Sequence, residues 1–207
     1  MTAVAPPRKR SHEGPFWKRQ FMIMSRWLHI YLSMASFGIL FFFAVTGLTL
    51  NHVEWFTKQQ HTLQQRGQMD AKFLATNISK LEVVEYLRST HGIHGAVQDF
   101  RVEDTDCSIS FKGPGYSADV SIDRASGRYE LAETRQGFFA VLNDLHKGRD
   151  TGKAWAAVID VSAVLMTLVS LTGLLLIFFL QRKRLSGLLV AAAGAVLCYL
   201  AYVAWVP

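Results

Sequence analysis

The sequence predicts a membrane α-helical protein with three transmembrane helices and one small α+β domain inserted between the first two. Half of the 207 residues are hydrophobic and only 18% are charged, which is too apolar for an ordinary soluble domain of this length. The apolar residues concentrate in three runs, each long enough to cross a hydrocarbon core of roughly 30 Å. Between the first two runs the chain is polar, with the alternating pattern of short strands.

These runs divide the chain into six segments. The first run lies behind a polar leader and exceeds the apolar core of a cleavable signal, so it is expected to remain as an anchor. The predicted segments are a basic leader at 1–26, transmembrane helices at 27–50, 154–180 and 185–206, an inserted domain with its connectors at 51–153, and a basic turn at 181–184.

Positive charges predict the orientation of the chain. Because basic residues flank transmembrane helices on the cytoplasmic side, the amino terminus is expected in the cytoplasm and the inserted domain and carboxyl terminus outside it. The net charge of +6 then predicts contact with anionic lipid and no nucleic-acid partner. The basic residues that set this orientation precede the first run or occupy the turn: Arg8, Lys9, Arg10, Lys18, Arg19, Arg26, Arg182, Lys183 and Arg184.

The inserted segment begins with a polar stretch, Lys58 to Lys72, which is predicted to be a connector. A helix is predicted after it, because Ser79–Glu82 has the form of a capping box and Gly92 is a typical helix stop. Apolar residues recur at helical spacing between these signals: Leu81, Val84 and Leu87.

Beyond Gly92 the apolar period changes to two, which indicates short strands. Because the separators are short and rich in turn formers, neighbouring strands are expected to form antiparallel hairpins. The inward-facing residues are predicted to be Ala96, Gln98, Phe100 and Val102, then Cys107, Ile109 and Phe111, then Tyr116, Ala118, Val120 and Ile122, then Tyr129 and Leu131.

Several motifs resemble a known family. Gly92-Ile93-His94-Gly95-Ala96-Val97, the strands that follow and the closing Ile122–Tyr129 resemble a PepSY domain. The membrane motifs are similar to those of PepSY-associated transmembrane proteins, and the resemblance covers about residues 26 to 180. They are Arg26-Trp27-Leu28-His29, Thr46–His52, Leu145–Arg149 and Leu171–Leu174.

This resemblance implies a bacterial inner-membrane protein whose PepSY-like domain is periplasmic. Larger relatives include haem-containing reductases of ferric siderophores, which implies haem b as a cofactor and a ferric chelate as a partner. The chain would be a minimal version of these proteins.

Three histidines near the membrane boundaries are the candidate axial ligands of haem iron: His29, His52 and His146. His29 and His52 are 23 residues apart on one helix, or roughly 35 Å, so they cannot bind one iron. His52 and His146 lie on the same side of the membrane and are expected to bind one haem together. A second haem at His29 would need another ligand, from His12 or from His29 of a second subunit. The alternative for all three is hydrogen bonding to headgroups, water or helix carbonyls.

Two charged residues are candidates for supporting this site. Asp160 is the only acid in a membrane run and is expected to orient an imidazole or bind a haem propionate. Its alternatives are a pair with Lys153 or Arg149, or contact with water. Arg149 is expected to hold propionates or lipid phosphates. Thr46-Gly47 and Thr172-Gly173 predict close helix packing, which a haem edge could also use.

Three functions remain open. The first is haem-binding electron transfer, as a ferric reductase or its subunit, with no catalytic acid or base and a donor on another protein. The second is a cofactor-free, membrane-tethered binding module that regulates a peptidase or envelope component. The third is a scaffold subunit that docks through the third helix, as a homodimer or with a partner membrane subunit.

Overall fold

The computed structural model describes residues 16–74, 78–180 and 182–207 of the chain; residues 1–15 of the predicted leader, with His12, lie outside these ranges. Two short 3-10 helices at Val53–Gln59 and Ala71–Leu74 accompany the main elements. The helices are α1 (Phe16–Asn51), α2 (Lys80–His91), α3 (Phe138–Lys147), α4 (Gly152–Phe179) and α5 (Arg184–Trp205), and the strands are β1 (His61–Gln68), β2 (Ala96–Val102), β3 (Asp106–Gly113), β4 (Tyr116–Asp123) and β5 (Arg128–Arg135).

The chain divides into two compact units. The first unit comprises the residues up to Leu40 together with Ser162–Pro207, and the second unit comprises Phe41–Val161. The first therefore contains most of α1 and α4 and all of α5. The second contains the ends of α1 and α4 together with the sheet, α2 and α3.

Three helices, α1, α4 and α5, are long and apolar enough to cross a membrane, as the sequence predicts. α1 begins at Phe16, before the predicted start at residue 27, because the intervening residues include no proline or glycine to interrupt the helix. The residues of α1 and α4 that are buried are all hydroxyl residues: Ser25, Ser36, Thr46, Thr49, Ser162 and Thr172. Small polar residues at helix contacts and large apolar residues outside are typical of membrane helices.

The second unit contains an antiparallel five-stranded sheet in the order β1-β5-β4-β3-β2. α2 covers one face through Val83, Val84 and Leu87. The predicted inward residues of β3 to β5 form the core with this helix, although Tyr116 is only partly buried, and together they confirm the predicted alternation: Cys107, Ile109, Phe111, Ala118, Val120, Ile122, Tyr129 and Leu131.

Four details differ from the sequence expectations. The polar stretch predicted to be a connector contains β1, which pairs with β5. β2 carries an irregularity between Val97 and Asp99, which breaks the expected alternation at this edge. In α2, Leu81 is exposed, so Val83 and not Leu81 completes the buried face. Ser79 occupies the cap position but forms no side-chain cap hydrogen bond.

Leucines 81 and 87 provide a matched pair on one helix for testing this core. Leu87 is fully buried, whereas Leu81 is 71% exposed. We expect Leu87→Ala to lower the free energy of unfolding by about 2–5 kcal/mol, and Leu81→Ala to change it by less than about 0.5 kcal/mol. The measurement is thiol labelling of buried Cys107 against urea, in full-length Cys198→Ser protein. Equal shifts for the two variants would contradict the burial of this face.

Candidate functional site

His146 lies near the end of α3, and its ring rests on a Thr-Gly pair of α1. Its Nδ1 is 2.6 Å from Oγ1 of Thr46. A Cβ added at Gly47 would lie 3.6 Å from Cε1 of the ring, which is an ordinary van der Waals contact. The edge of the Phe43 ring packs against the imidazole at 5.0 Å between centroids. We call a threonine-glycine pair that contacts a histidine ring in this way a Thr-Gly seat, and the histidine a seated histidine.

The hydrogen bonds of Thr46 determine the tautomer of His146. The Thr46 hydroxyl lies 2.6 Å from the Phe42 carbonyl oxygen, which can only accept, so the hydroxyl donates its single hydrogen there. Nδ1 of His146 must then donate to Thr46 Oγ1. A neutral imidazole has one N–H, so the lone pair is on Nε2.

The same arrangement occurs in the first unit. Nδ1 of His29 is 3.0 Å from Oγ1 of Thr172, whose hydroxyl donates to the Val169 carbonyl at 2.9 Å. His29 is therefore also an Nδ1–H imidazole with its lone pair on Nε2. A Cβ added at the next residue, Gly173, would lie 3.1 Å from Cε1 of His29, which is a tight contact. Both Thr-Gly pairs thus hold histidine rings, where the sequence predicted close helix packing that a haem edge could also use.

His52 has different surroundings from the other two histidines. Its ring stacks on Trp55 at 4.1 Å between centroids, and its Nδ1 lies 3.3 Å from Oε1 of Glu54. This carboxylate can accept from Nδ1–H, as in the outer partners of many metal-bound histidines. His52 and His146 thus have separate neighbours among the described residues, and their sharing of one haem stays a prediction.

α3 connects His146 to two other parts of the second unit. Oδ1 of Asn143 lies 2.8 Å from the Thr49 hydroxyl, which is also 2.9 Å from the Thr46 carbonyl oxygen. Asp144 is buried and accepts from the backbone N–H of Gly115, in the β3–β4 turn, at 2.9 Å. The position of His146 is therefore tied both to α1 and to the sheet.

The charged candidates are placed as follows. Arg149 donates to Asp144 at 2.6 Å and lies 3.9 Å from Asp150. Its side chain is still 58% exposed and can meet a further anion. Asp160 is exposed on α4. Its predicted role beside an imidazole or a propionate stays a prediction.

Electrostatics favour the neutral form of His146. Burial lowers the pKa of the imidazole below its ordinary value, and the neighbouring charge of Lys147 lowers this pKa further. Among the described residues no group of three or more His, Cys, Asp or Glu could hold a metal ion. His146 is thus favoured as a neutral imidazole.

Comparison with known families decides the family of the chain. The model of the PepSY_TM-like family matches residues 23–207, which is most of the sequence. The chain belongs to the PepSY_TM-like family. No curated protein and no solved structure matches it. The resemblance inferred from the motifs is therefore confirmed for this PepSY_TM-like protein.

Sequence reasoning missed the helix α3 and the hydrogen-bond partners of its polar residues. The segment has a recognisable signal, because Phe139, Leu142 and Leu145 recur at helical spacing. Asp144 gave no such signal, since its partner Gly115 is 29 residues away in the sequence. Thr46 and Thr172 were noticed in the PepSY_TM-like motifs, but nothing in their spacing identified an imidazole as their partner.

Asp144 provides a test of the link between α3 and the sheet. We expect Asp144→Ala to lower the free energy of unfolding by about 1–3 kcal/mol, because the Gly115 N–H loses its acceptor. Asp144→Asn should cost less, since an amide oxygen can still accept from Gly115. The measurement is Cys107 labelling against urea in Cys198→Ser protein. Asp119→Ala is the control, because in the described residues the only hydrogen bond of this exposed carboxylate comes from the Ser110 hydroxyl. If Asp119→Ala lowered the free energy of unfolding as much as Asp144→Ala, the link between α3 and the sheet would be contradicted.

The lowered pKa of His146 predicts a dependence of stability on pH. The unfolded chain takes up this proton near the ordinary imidazole pKa of 6.5, whereas the folded protein takes it up only at lower pH. The contribution is therefore fully present above pH 6.5 and decreases as pH falls toward the folded pKa. We expect His146→Gln to reduce the loss of urea stability between pH 7.5 and 5.5, and exposed His61→Gln to leave it unchanged. An unaltered pH profile in His146→Gln would refute this assignment.

Proposed function

We propose that this PepSY_TM-like protein binds haem b in a bacterial inner membrane and transfers electrons to a ferric chelate. It would act as a minimal ferric reductase or as a subunit of one. The proposal is supported by one observation above all: His29 and His146 are each hydrogen-bonded through Nδ1 to a threonine hydroxyl, an arrangement that favours the lone pair on Nε2.

The donor set fits axial ligation of haem. Haem iron binds neutral imidazole, and metal-bound histidines almost always donate the other ring N–H to a fixed acceptor. Thr46 and Thr172 are such acceptors, because each donates its own hydrogen to its helix. When bound, haem would supply a one-electron iron couple, which none of the side chains of this protein provides.

The residues around the histidines would hold the ligands in place. Thr46 keeps the His146 ring in one tautomer, and the tie between Asp144 and Gly115 holds α3, which carries this ring. The low pKa of His146 keeps its imidazole unprotonated near neutral pH, as ligation requires. No acid or base is needed, since the reaction moves only electrons.

The proposal assigns His52 and His146 to one haem. Glu54 would accept a hydrogen bond from Nδ1 of His52 and so orient this ring. His29 would bind a second haem, whose other ligand comes from a second copy or a partner membrane subunit. Arg149 would meet a propionate with the exposed part of its guanidinium, and Asp160 would orient an imidazole or bind a propionate from outside the ligand set.

The proposed orientation has the basic turn in the cytoplasm and the PepSY-like domain with the carboxyl terminus in the periplasm. It is supported by the basic residues in the first part of α1 and at the start of α5, which favour the cytoplasmic side. The electron donor would then be a cytoplasmic or membrane partner, and the ferric chelate would arrive from the periplasm.

An absorption spectrum of the full-length protein, produced with a supply of haem, tests this proposal. We expect a Soret band and the low-spin bands of a bis-histidine haem. His146→Ala and His52→Ala should each remove the low-spin spectrum of one haem, and His29→Ala should remove that of the other. Thr46→Val should weaken haem binding by about 10- to 100-fold, because Nδ1 loses its acceptor.

Exposed His61 supplies the control, because His61→Ala should leave every band unchanged. Absence of a Soret band in haem-replete protein would reject the function. A bis-histidine spectrum that survives in His52→Ala would reject only the pairing of His52 with His146.

A further inference from the structure

The end of the first unit where α4 turns into α5 carries a concentrated positive charge. Across residues 16–40, 162–180 and 182–207 the sequence contains no Asp or Glu. The cations of the same ranges therefore have no carboxylate of this unit to pair with in the part of the chain that the structure describes: Lys18, Arg19, Arg26, Arg182, Lys183 and Arg184.

A cavity of about 340 Å³ lies at this turn, lined by Phe179, Leu180, Arg182 and Lys183. Its wall is thus half apolar and half cationic. Next to it, the guanidinium carbon of Arg184 lies 5.3 Å from the centre of the Phe178 ring. On the side of α1, the Phe21 ring packs against Phe179 at 5.7 Å between centroids.

Two backbone hydrogen bonds involve Lys183 of this turn. Backbone hydrogen bonds run from Lys183 N–H to the Leu180 carbonyl and from Gly187 N–H to the Lys183 carbonyl, at 3.0 and 2.9 Å. A Cβ added at Gly187 would lie only 2.5 Å from Cδ1 of Ile177, so α5 approaches α4 closely just beyond the turn. Arg182 and Lys183 line the cavity beside Phe179 and Leu180, at the apolar end of α4.

We propose that this cavity binds the headgroup of one anionic phospholipid. Arg182 and Lys183 meet the phosphate, and Phe179 and Leu180 contact the glycerol and the first methylene groups of the acyl chains. Charge complementarity favours an anion, because three consecutive cations lack an ion-pair partner among the described residues. The apolar wall at the end of a membrane-crossing helix favours a lipid over a free phosphate ion.

This site differs from the basic residues beside His146. Arg149 has carboxylate neighbours within the protein, Asp144 at 2.6 Å and Asp150 at 3.9 Å. Arg182 and Lys183 have no such neighbour in the described ranges. The inference is independent of haem binding, since none of the residues of the turn contacts a histidine among the contacts found.

Lipid binding to the full-length protein in detergent tests the proposal. The probe is phosphatidylglycerol, with phosphatidylcholine and inorganic phosphate as separate arms, and the measured quantity is the rise in unfolding temperature with concentration. We expect Arg182→Gln/Lys183→Gln to weaken phosphatidylglycerol binding by roughly 30-fold, at about a factor of five for each cation lost. Lys18→Gln/Arg19→Gln removes the same charge from α1 and should weaken binding by less than about threefold.

Three outcomes would overturn the proposal. Equal losses in both double variants would mean attraction by total charge without a site. Equal stabilisation by phosphatidylcholine would mean that the headgroup charge is not recognised. Stabilisation by millimolar phosphate equal to that by phosphatidylglycerol would mean a site for the free ion.

A second measurement uses the unaltered protein and does not depend on how the variants fold. A phosphatidylglycerol that carries a photoreactive group on its glycerol should label residues 178–187, as mapped by mass spectrometry of chymotryptic peptides. Labelling spread evenly along α1, α4 and α5 would refute a single headgroup site.

Discussion

The single hydrogen of a threonine hydroxyl determines the chemistry of both seated histidines. In a helix that crosses a membrane, a threonine hydroxyl donates to a carbonyl of its own helix, since no water competes for it. Its oxygen is then only an acceptor for an approaching imidazole. Thr46 and Thr172 both do this, so His146 and His29 have the same tautomer although they come from different helices and belong to different units. A hydrogen bond within a helix thus selects the nitrogen that remains available for ligation.

Glycine and the small hydroxyl residues explain how the rings fit. The residues of α1 and α4 that are withdrawn from the surface are serines and threonines, while leucine, phenylalanine and methionine remain outside. This is the reverse of the small sheet, where the core consists of aliphatic and aromatic side chains beneath α2. The two parts of the chain are therefore suited to different surroundings. Lipid accepts the large apolar side chains of the helices, and water accepts the charged face of the sheet.

α3 is the element that relates these two kinds of structure in the second unit. Three of its polar residues, Asn143, Asp144 and His146, have three different partners in α1 and the sheet. Its apolar side includes Phe139, which stacks on Phe56 at 3.9 Å between centroids. A change in the β3–β4 turn would therefore reach the imidazole through one helix of ten residues. The buried carboxylate of Asp144 links the sheet to α3, the helix that carries the candidate ligand His146.

Composition and periodicity alone determined the three membrane helices, the helix-and-sheet domain between them and most of the inward residues of β3 to β5, whereas the family was indicated by the resemblance of several motifs. These features arise from patterns within short stretches, where a period of two or 3.6 or a long apolar run has one physical reading. β1 was not predictable in this way, because its polar residues become a strand only by pairing with β5, far along the chain. The partners of the histidines depended on tertiary structure for the same reason. Which hydroxyl meets which imidazole is decided by helix packing between residues 100 or more positions apart, and no local pattern records that distance.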